Sequence, residues 1–579
     1  MKRFFLIKTV LIILSLCIFG CKKNDDLENL NNKIDALIIA NDILTLKNTL
    51  LDARISENPI TSIDTTQADT TTIVFESASI LKVKGGLIEQ INVDADAWQV
   101  DFHFSDASSV TTWYVGNENG IQAEMLLNPY NDAPLAVVGK IKTPIPGRFK
   151  LRVVGQDGAT SDILHTFETI AKNHELEILG LYADYENTIE LTFLSADGKP
   201  RITTTYQVKT EALPEGLPDF EIAKQYEADE QNTVFLVNFR PAHIPFMVDK
   251  FGKIRWYSVG FSVVSKYGLQ RFKNGNMGFG RNVASQGSIF EYTMTGKVIR
   301  EYSFYPEFEM AHHDVYEMAN GNFLVPVNKV GAPTVEDYII AMDRNSGEIY
   351  NVWDLNLILP RRDTLRKNPA NDWVHVNAVI HDPSDNTIII SGQRQGLFKV
   401  TWDNQLKWIF SQPYDWDGYE SYLLTSSDPS MEWVWGQHAP LIKPDGHILL
   451  FDNGFGRGFG RSPKFSRALE VKITENSIGG TVENVWEYGR ERGTAFYAPF
   501  ICDVDYLEAT DTRLLTAGSV SFDISYTDNE NLSLVDLNKS LKSIIVEVNR
   551  NKEVVFELHL KLDASQNGTT YRSEKIKLY

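Results

Sequence analysis

Cysteine is nearly absent: the 579 residues contain three, Cys17, Cys21 and Cys502. The first two lie within or at the end of an N-terminal apolar run, so Cys502 stands alone and no internal disulfide is available. Zinc-finger and dithiol-redox readings fall with that count. Positive charge is also in deficit, with 56 Lys and Arg against 76 Asp and Glu and a net charge of −20. That balance disfavours nucleic acid as a partner, because phosphate binding needs concentrated Lys and Arg. What is present is core-forming material, 43% hydrophobic and 11% aromatic, enough to argue against wholesale disorder. The length implies two to four domains.

The N-terminus reads as a targeting segment over residues 1–20: Lys2-Arg3, an apolar run from 4 to 19, then Gly20-Cys21. The run is short for a transmembrane helix. Ile18-Phe19-Gly20-Cys21 resembles a bacterial lipobox, which implies cleavage before Cys21 and lipidation there. Lys22-Lys23-Asn24-Asp25-Asp26 resembles the charged tag of surface-exported lipoproteins. The expectation is a cell-envelope lipoprotein, anchored to the outer membrane and facing periplasm or exterior; an ordinary signal or membrane anchor is the alternative. Residues 21–58 carry a heptad seam, Leu27, Leu30, Ile34, Leu37, Asn41, Leu44, Asn48, Leu51 and Ile55, stopped by Asn58-Pro59. Asn at two seam positions points to a self-associating coiled coil, hence a homo-oligomer; a single helical stalk is the rival.

The rest reads as all-β. A Thr/Asp-rich linker over 61–72 opens an additional β-strand module within 59–122, and short strands with Gly, Pro and Asp turns make 123–216 a β-sandwich domain. In 217–579, turn pairs precede apolar runs near Asn232, Gly275, Gly321, Asn386, Gly446 and Thr512, at spacings of 43, 46, 65, 60 and 66 residues. Six such units suit a six-bladed β-propeller. Histidines recur in this repeat: His438 precedes the turn glycine Gly446 by eight positions, and His313 precedes Gly321 by the same eight. His375 stands before a similar strand pair. In a propeller the innermost strand of each blade lines a central channel, so His313, His375 and His438 can converge although 62 and 63 positions apart.

Several motifs carry a resemblance. Asp372-Trp373-Val374-His375-Val376-Asn377-Ala378-Val379, Asp385-Asn386-Thr387-Ile388-Ile389-Ile390-Ser391, and Gln437-His438 followed by Phe451-Asp452-Asn453-Gly454 and Arg457 resemble the bacterial arylsulfate sulfotransferases. Asn128-Pro129-Tyr130-Asn131-Asp132-Ala133-Pro134-Leu135 and Leu179-Gly180-Leu181-Tyr182-Ala183-Asp184 resemble that family's N-terminal β-domain, and Tyr571-Arg572 its closing blade. The resemblance implies a six-bladed propeller that moves a sulfuryl group from a phenolic sulfate ester to a phenol, without a nucleotide sulfate donor. Its ping-pong cycle passes through a sulfohistidine at His438, with His313, His375 and Asn377 in the same site. It implies no cofactor and no metal, and small-molecule aryl sulfates and phenols as partners.

The chemistry is consistent with the residues themselves. A neutral imidazole is a competent nucleophile near neutral pH, a covalent intermediate splits a hard transfer into two steps, and fixed donors stabilise the charge that develops. One departure stands out: the family signature has an arginine two positions after Ser391, and here that residue is Gln393. Arg394 is adjacent, but strand neighbours face opposite sides, so it serves only if a bulge re-aims it. Arg457 or Arg461 is the other candidate cation for substrate binding. His312 is expected to face away, His381 and His447 to be exposed, and Asp452-Asn453-Gly454 to be a turn. Three readings compete with the transferase: a zinc-type site built on the three histidines, a surface propeller binding sulfated aromatics or glycans with a degenerate site, and a coiled-coil-linked structural protein.

Overall fold

The structure, a computed structural model, describes residues 24–579 except 56–57, 68, 76, 78, 95–98, 115–120, 197, 227–229, 241–243, 261–265, 284–285, 363–370, 461–462, 522–540 and 562–568. The leader, Cys21 and Arg461 lie outside the described residues. No described helix is long and apolar enough to cross a membrane.

The first element is the helix Asn24–Ile55. Its second half buries Ile43, Leu46, Leu50 and Ala53 against two three-stranded sheets spanning Ile60 to Trp113. These four residues form a row at steps of three and four beside the heptad seam rather than on it. Leu37, Leu44 and Leu51 of the seam stay 58%, 57% and 40% exposed. The stretch expected to be a linker is instead paired β-structure, Ile60–Gln67 against Thr70–Phe75. Its β-branched threonines suit a pleated, half-exposed surface, and Thr61 Oγ1 donates to the Val74 carbonyl.

The next five strands run from Gln122 to Lys209 in one bent sheet. A break in register between Lys142 and Gly147 divides the long strand Val137–Val153, whose first part pairs with Gln122–Leu127 and whose second pairs with Glu186–Ser195. Asp132 ties this domain to the C-terminal one, accepting from Ser258 Oγ at 2.8 Å and Gly260 N at 2.5 Å.

Among the described residues the C-terminal domain is a set of six meander sheets of four or five strands, antiparallel except where Leu424–Thr425 pairs parallel to Gly480–Tyr488. Two are completed by distant segments. Thr569–Lys577 forms the innermost strand of the first sheet, and Asp219–Lys224 the outermost strand of the last. Contacts between successive sheets run around the set, and Asp503–Leu507 meets Thr569–Lys577 to close the ring. This is a β-propeller architecture. A left-handed residue precedes the second strand of each of these sheets, namely Asn232, Gly275, Gly321, Asn386, Gly446 and Asp511, and in all but the first sheet it lies in the hairpin from the innermost strand. Asn, Asp and Gly tolerate that conformation, and the tight hairpins need it. Between sheets the core is aromatic; Trp256, Trp353 and Trp408 are fully buried, and the indoles of Trp256 and Trp353 donate to the carbonyls of Met294 and Thr401.

Candidate active site

The ring geometry brings the repeat-positioned histidines to one place. His313 and His375 each stand just ahead of an innermost strand segment with φ of +63° and +54°. At His313 the backbone makes a tight turn, Asp314 N donating to the His312 carbonyl at 2.7 Å. Left-handed non-glycine residues are uncommon and cluster at functional sites. In the third repeat the left-handed residue is Ala439, one position after His438. The spacing to the turn glycine is kept, but the backbone frame is offset, and His438 is buried where His313 and His375 are half-buried.

The rings of His313 and His375 lie 4.8 Å apart. Between them sits Glu336, whose Oε2 is 2.6 Å from His375 Nδ1 and 3.4 Å from His313 Nε2. Asp372 Oδ2 accepts from the same His375 Nδ1 at 3.0 Å, and His313 Nδ1 meets the Tyr571 hydroxyl at 3.0 Å. Burial works against a charge on His375, but hydrogen bonds to Asp372 and Glu336 and their negative charge outweigh it and raise its pKa to about 9. Burial likewise opposes the Glu336 carboxylate, yet the bonds to His313 and His375 hold it far below the usual range. His375 is therefore an imidazolium between two carboxylates at neutral pH.

His438 has the opposite character. Burial pushes its pKa down to about 3; the Asn453 hydrogen bond resists, and neighbouring His313 and His375 add to the lowering. It is a neutral imidazole. Its Nδ1 faces two acceptors, Asn453 Oδ1 at 2.8 Å and the Gly436 carbonyl at 3.0 Å. The Asn453 amide cannot flip, because its Nδ2 donates to the carbonyls of Ala498 and Ile501 at 2.8 and 2.6 Å. Nδ1 must then carry the proton, which leaves the lone pair on Nε2.

Asn377 is buried beside His438 and donates from Nδ2 to the Gln437 carbonyl at 2.7 Å, while its Oδ1 has no hydrogen-bond partner. Gln393 follows the last residue of the strand Thr387–Gly392; its backbone N bonds the His375 carbonyl at 2.9 Å. Arg394 is not on a strand. Gly392 pairs directly with Gly396, so residues 393–395 form a tight turn where face alternation does not apply. The Arg394 guanidinium bonds the Asp372 backbone carbonyl and pairs with Asp372 Oδ2 at 2.7 Å, placing a cation one carboxylate away from His375. Arg457 is buried elsewhere: Nη2 pairs with the fully buried Asp452 at 2.7 Å, and its guanidinium stacks on Phe465 at 4.2 Å. Arg467 Nε shares the same carboxylate at 3.0 Å. Arg457 thus belongs to a buried charge network, and no contact joins it to the three histidines among the described residues.

Sequence pattern does not single out Glu336, Asp372, Asn453 or Tyr571 as site residues. Asp372, Asn453 and Tyr571 do lie inside the motifs that carry the resemblance. Glu336 lies in the segment joining Phe323–Lys329 to Tyr338–Met342, with φ of +58°, and nothing in the repeat points to it. Behind the site Arg572 pairs with Asp314 at 3.0 Å; burial disfavours its charge, but Asp314 and Asp503 hold it firmly protonated.

The arylsulfotransferase (ASST) family model matches residues 220–572, and a second model, the arylsulfotransferase Ig-like domain, matches 124–211. The chain belongs to the arylsulfotransferase family. It is 25% identical over 571 residues to the arylsulfate sulfotransferase AssT of Escherichia coli O6:H1, covering 78% of this chain and 92% of that one. To AssT of Lelliottia amnigena it is 24% identical over 565 residues, with the same coverage. Among solved structures, a catalytically inactive virginiamycin B lyase from Staphylococcus aureus aligns at 13% identity and a TM-score of 0.31, covering 60% of this chain and all of that one. That likeness is too distant to add to the argument. Membership makes the protein an aryl-sulfate sulfotransferase, and aryl sulfate donors with phenol acceptors are consistent with it.

Proposed function

We propose that this protein transfers a sulfuryl group between phenols by a ping-pong cycle through His438, and that the six sheets are the six blades of the propeller housing the site. One observation carries the reading: His438 is buried and neutral, with its Nδ1 proton committed to Asn453 and Gly436, so that Nε2 is available. In the first half-reaction Nε2 attacks sulfur, the S–O bond to the aryl oxygen breaks, and His375 gives its proton to the departing oxygen. In the second, the acceptor phenol returns a proton to His375, its oxygen attacks sulfur, and the N–S bond breaks. Protons and sulfuryl group balance over the cycle.

His313, Asn377 and the Arg394–Asp372 pair surround this chemistry as donors and charge for the sulfuryl oxygens. Arg394, working through Asp372, is the cation nearest the place of the missing family arginine at Gln393. Initial rates at several fixed acceptor concentrations test the cycle: parallel double-reciprocal lines support it, and intersecting lines would demand a ternary complex. We also propose anchorage in the outer membrane through Cys21, supported by the lipobox-like segment, and self-association through the exposed seam of the N-terminal helix, supported by Leu37, Leu44 and Leu51.

A further inference from the structure

His312 has no part in the cycle above, yet its placement calls for a reason. It is 1% exposed, and neither ring nitrogen makes a hydrogen bond of ordinary geometry, although the Val327 backbone lies near enough to favour its charged form. Buried imidazoles are ordinarily satisfied at one nitrogen at least. Its ring meets that of His313 at 5.4 Å, and a donor nitrogen of each histidine, with an oxygen of Glu336, falls within 4.8 Å of the others.

Two features of this group suit a metal. His313 Nε2 and Glu336 Oε2 are 3.4 Å apart, about the donor–donor edge of a tetrahedron with bonds near 2.1 Å. With Nε2 turned to a metal, His313 Nδ1 still has the Tyr571 hydroxyl at 3.0 Å as partner, the kind of outer contact that fixes a ligating imidazole. Two nitrogens and one carboxylate favour a zinc-type ion over calcium or magnesium, which take oxygen donors.

We propose that His312, His313 and Glu336 form a binding site for a divalent transition ion of the zinc type, and that its occupancy inhibits sulfuryl transfer. Inhibition results because the ion and His375 compete for the same Glu336 carboxylate, and because His313 is withdrawn from the substrate. Only this consequence rests on the proposed cycle; binding itself does not.

The test has two arms, both on the full chain. In the first, Zn²⁺ is partitioned between the protein and a chromogenic chelator of known affinity, with Mg²⁺ and Ca²⁺ as controls. The expected result is one equivalent of Zn²⁺ per wild-type chain, with affinity lowered at least about tenfold in both His312→Leu and Glu336→Gln. No uptake by wild type, or unchanged affinity in both variants, would overturn the proposal. In the second arm, transfer from an aryl sulfate to a phenol is followed with added Zn²⁺. At ten times the wild-type dissociation constant, wild-type activity should fall about tenfold and return with chelator, while His312→Leu should lose no more than about twofold. Equal inhibition of His312→Leu would show that zinc acts elsewhere. An inactive wild type would count against the proposed cycle, and the binding arm would still decide the metal site.

Discussion

The carboxylates around His375 set the pH at which it can act as an acid, and exchanging one of them should move that pH by a calculable amount. In the folded protein His375 titrates near 9 against an ordinary value of 6.5. The difference corresponds to about 3 kcal/mol of preference for the imidazolium. It counts once, since the same ion pair is what lowers Glu336. Glu336 and Asp372 both contact Nδ1, Glu336 the more closely at 2.6 Å against 3.0 Å, so replacing it by neutral glutamine should remove somewhat more than half of the rise and bring the pKa to about 7.5. At pH 8 about nine-tenths of wild-type His375 is protonated, against about a quarter in Glu336→Gln. If His375 protonates the leaving oxygen, kcat/KM at pH 8 should therefore drop about fourfold through this effect and scarcely at all at pH 6. The assay is the pH profile of kcat/KM with an unactivated donor such as phenyl sulfate, whose poor leaving group needs the proton. An alkaline limb that stays at the wild-type pH in Glu336→Gln would refute the assignment. Stability should track the same group. Because the folded pKa is raised, its contribution is complete below about pH 6.5 and is lost as pH rises through about 9. The urea midpoint of wild type should fall across that window by more than that of the variant.

Arg394→Gln should shift the limb the other way, to higher pH, since removing a cation beside Asp372 strengthens its hold on the His375 proton; the same profile reads it. Asn453→Ala removes an acceptor of the His438 Nδ1 proton and should lower kcat by roughly 5- to 150-fold, the equivalent of about 1–3 kcal/mol, with little change in KM for the donor. Asp452→Asn leaves Arg457 and Arg467 facing one another in a buried site without their shared carboxylate, and should cost about 3–5 kcal/mol in a denaturant titration. Arg457→Gln should likewise lower the melting temperature rather than raise the donor KM.

The parts of the site that repeat were legible in sequence, and the parts that do not repeat were not. His313 and His438 announced themselves by an equal distance from hairpin turns and His375 by its place before a similar strand pair, and the left-handed turn residues show why those hairpins recur. The offset that puts Ala439 rather than His438 at the left-handed position leaves no trace in residue spacing. Glu336 comes from a connecting segment between second and third strands, reached through the ring's curvature. For Arg394, strand alternation was the wrong rule, because the Gly392–Gly396 pairing turns the chain there. Arg457 looked like a free cation in a glycine-rich loop; its partner Asp452 was in view five positions earlier, inside a stretch read only as a turn. Asn453, in the same stretch, orients His438. At the N-terminus two apolar rows lie side by side on the helix Asn24–Ile55, and hydrophobic spacing alone does not say which one meets the sheets.

The covalent role of His438 can be read directly. Mixing the protein with an aryl [³⁵S]sulfate in the absence of acceptor, then quenching in alkali and mapping peptides, should give one acid-labile label per chain on the peptide carrying His438. It should be matched by one equivalent of released phenol and discharged by added acceptor. Label on another residue, or unimpaired transfer by His438→Ala, would contradict the mechanism.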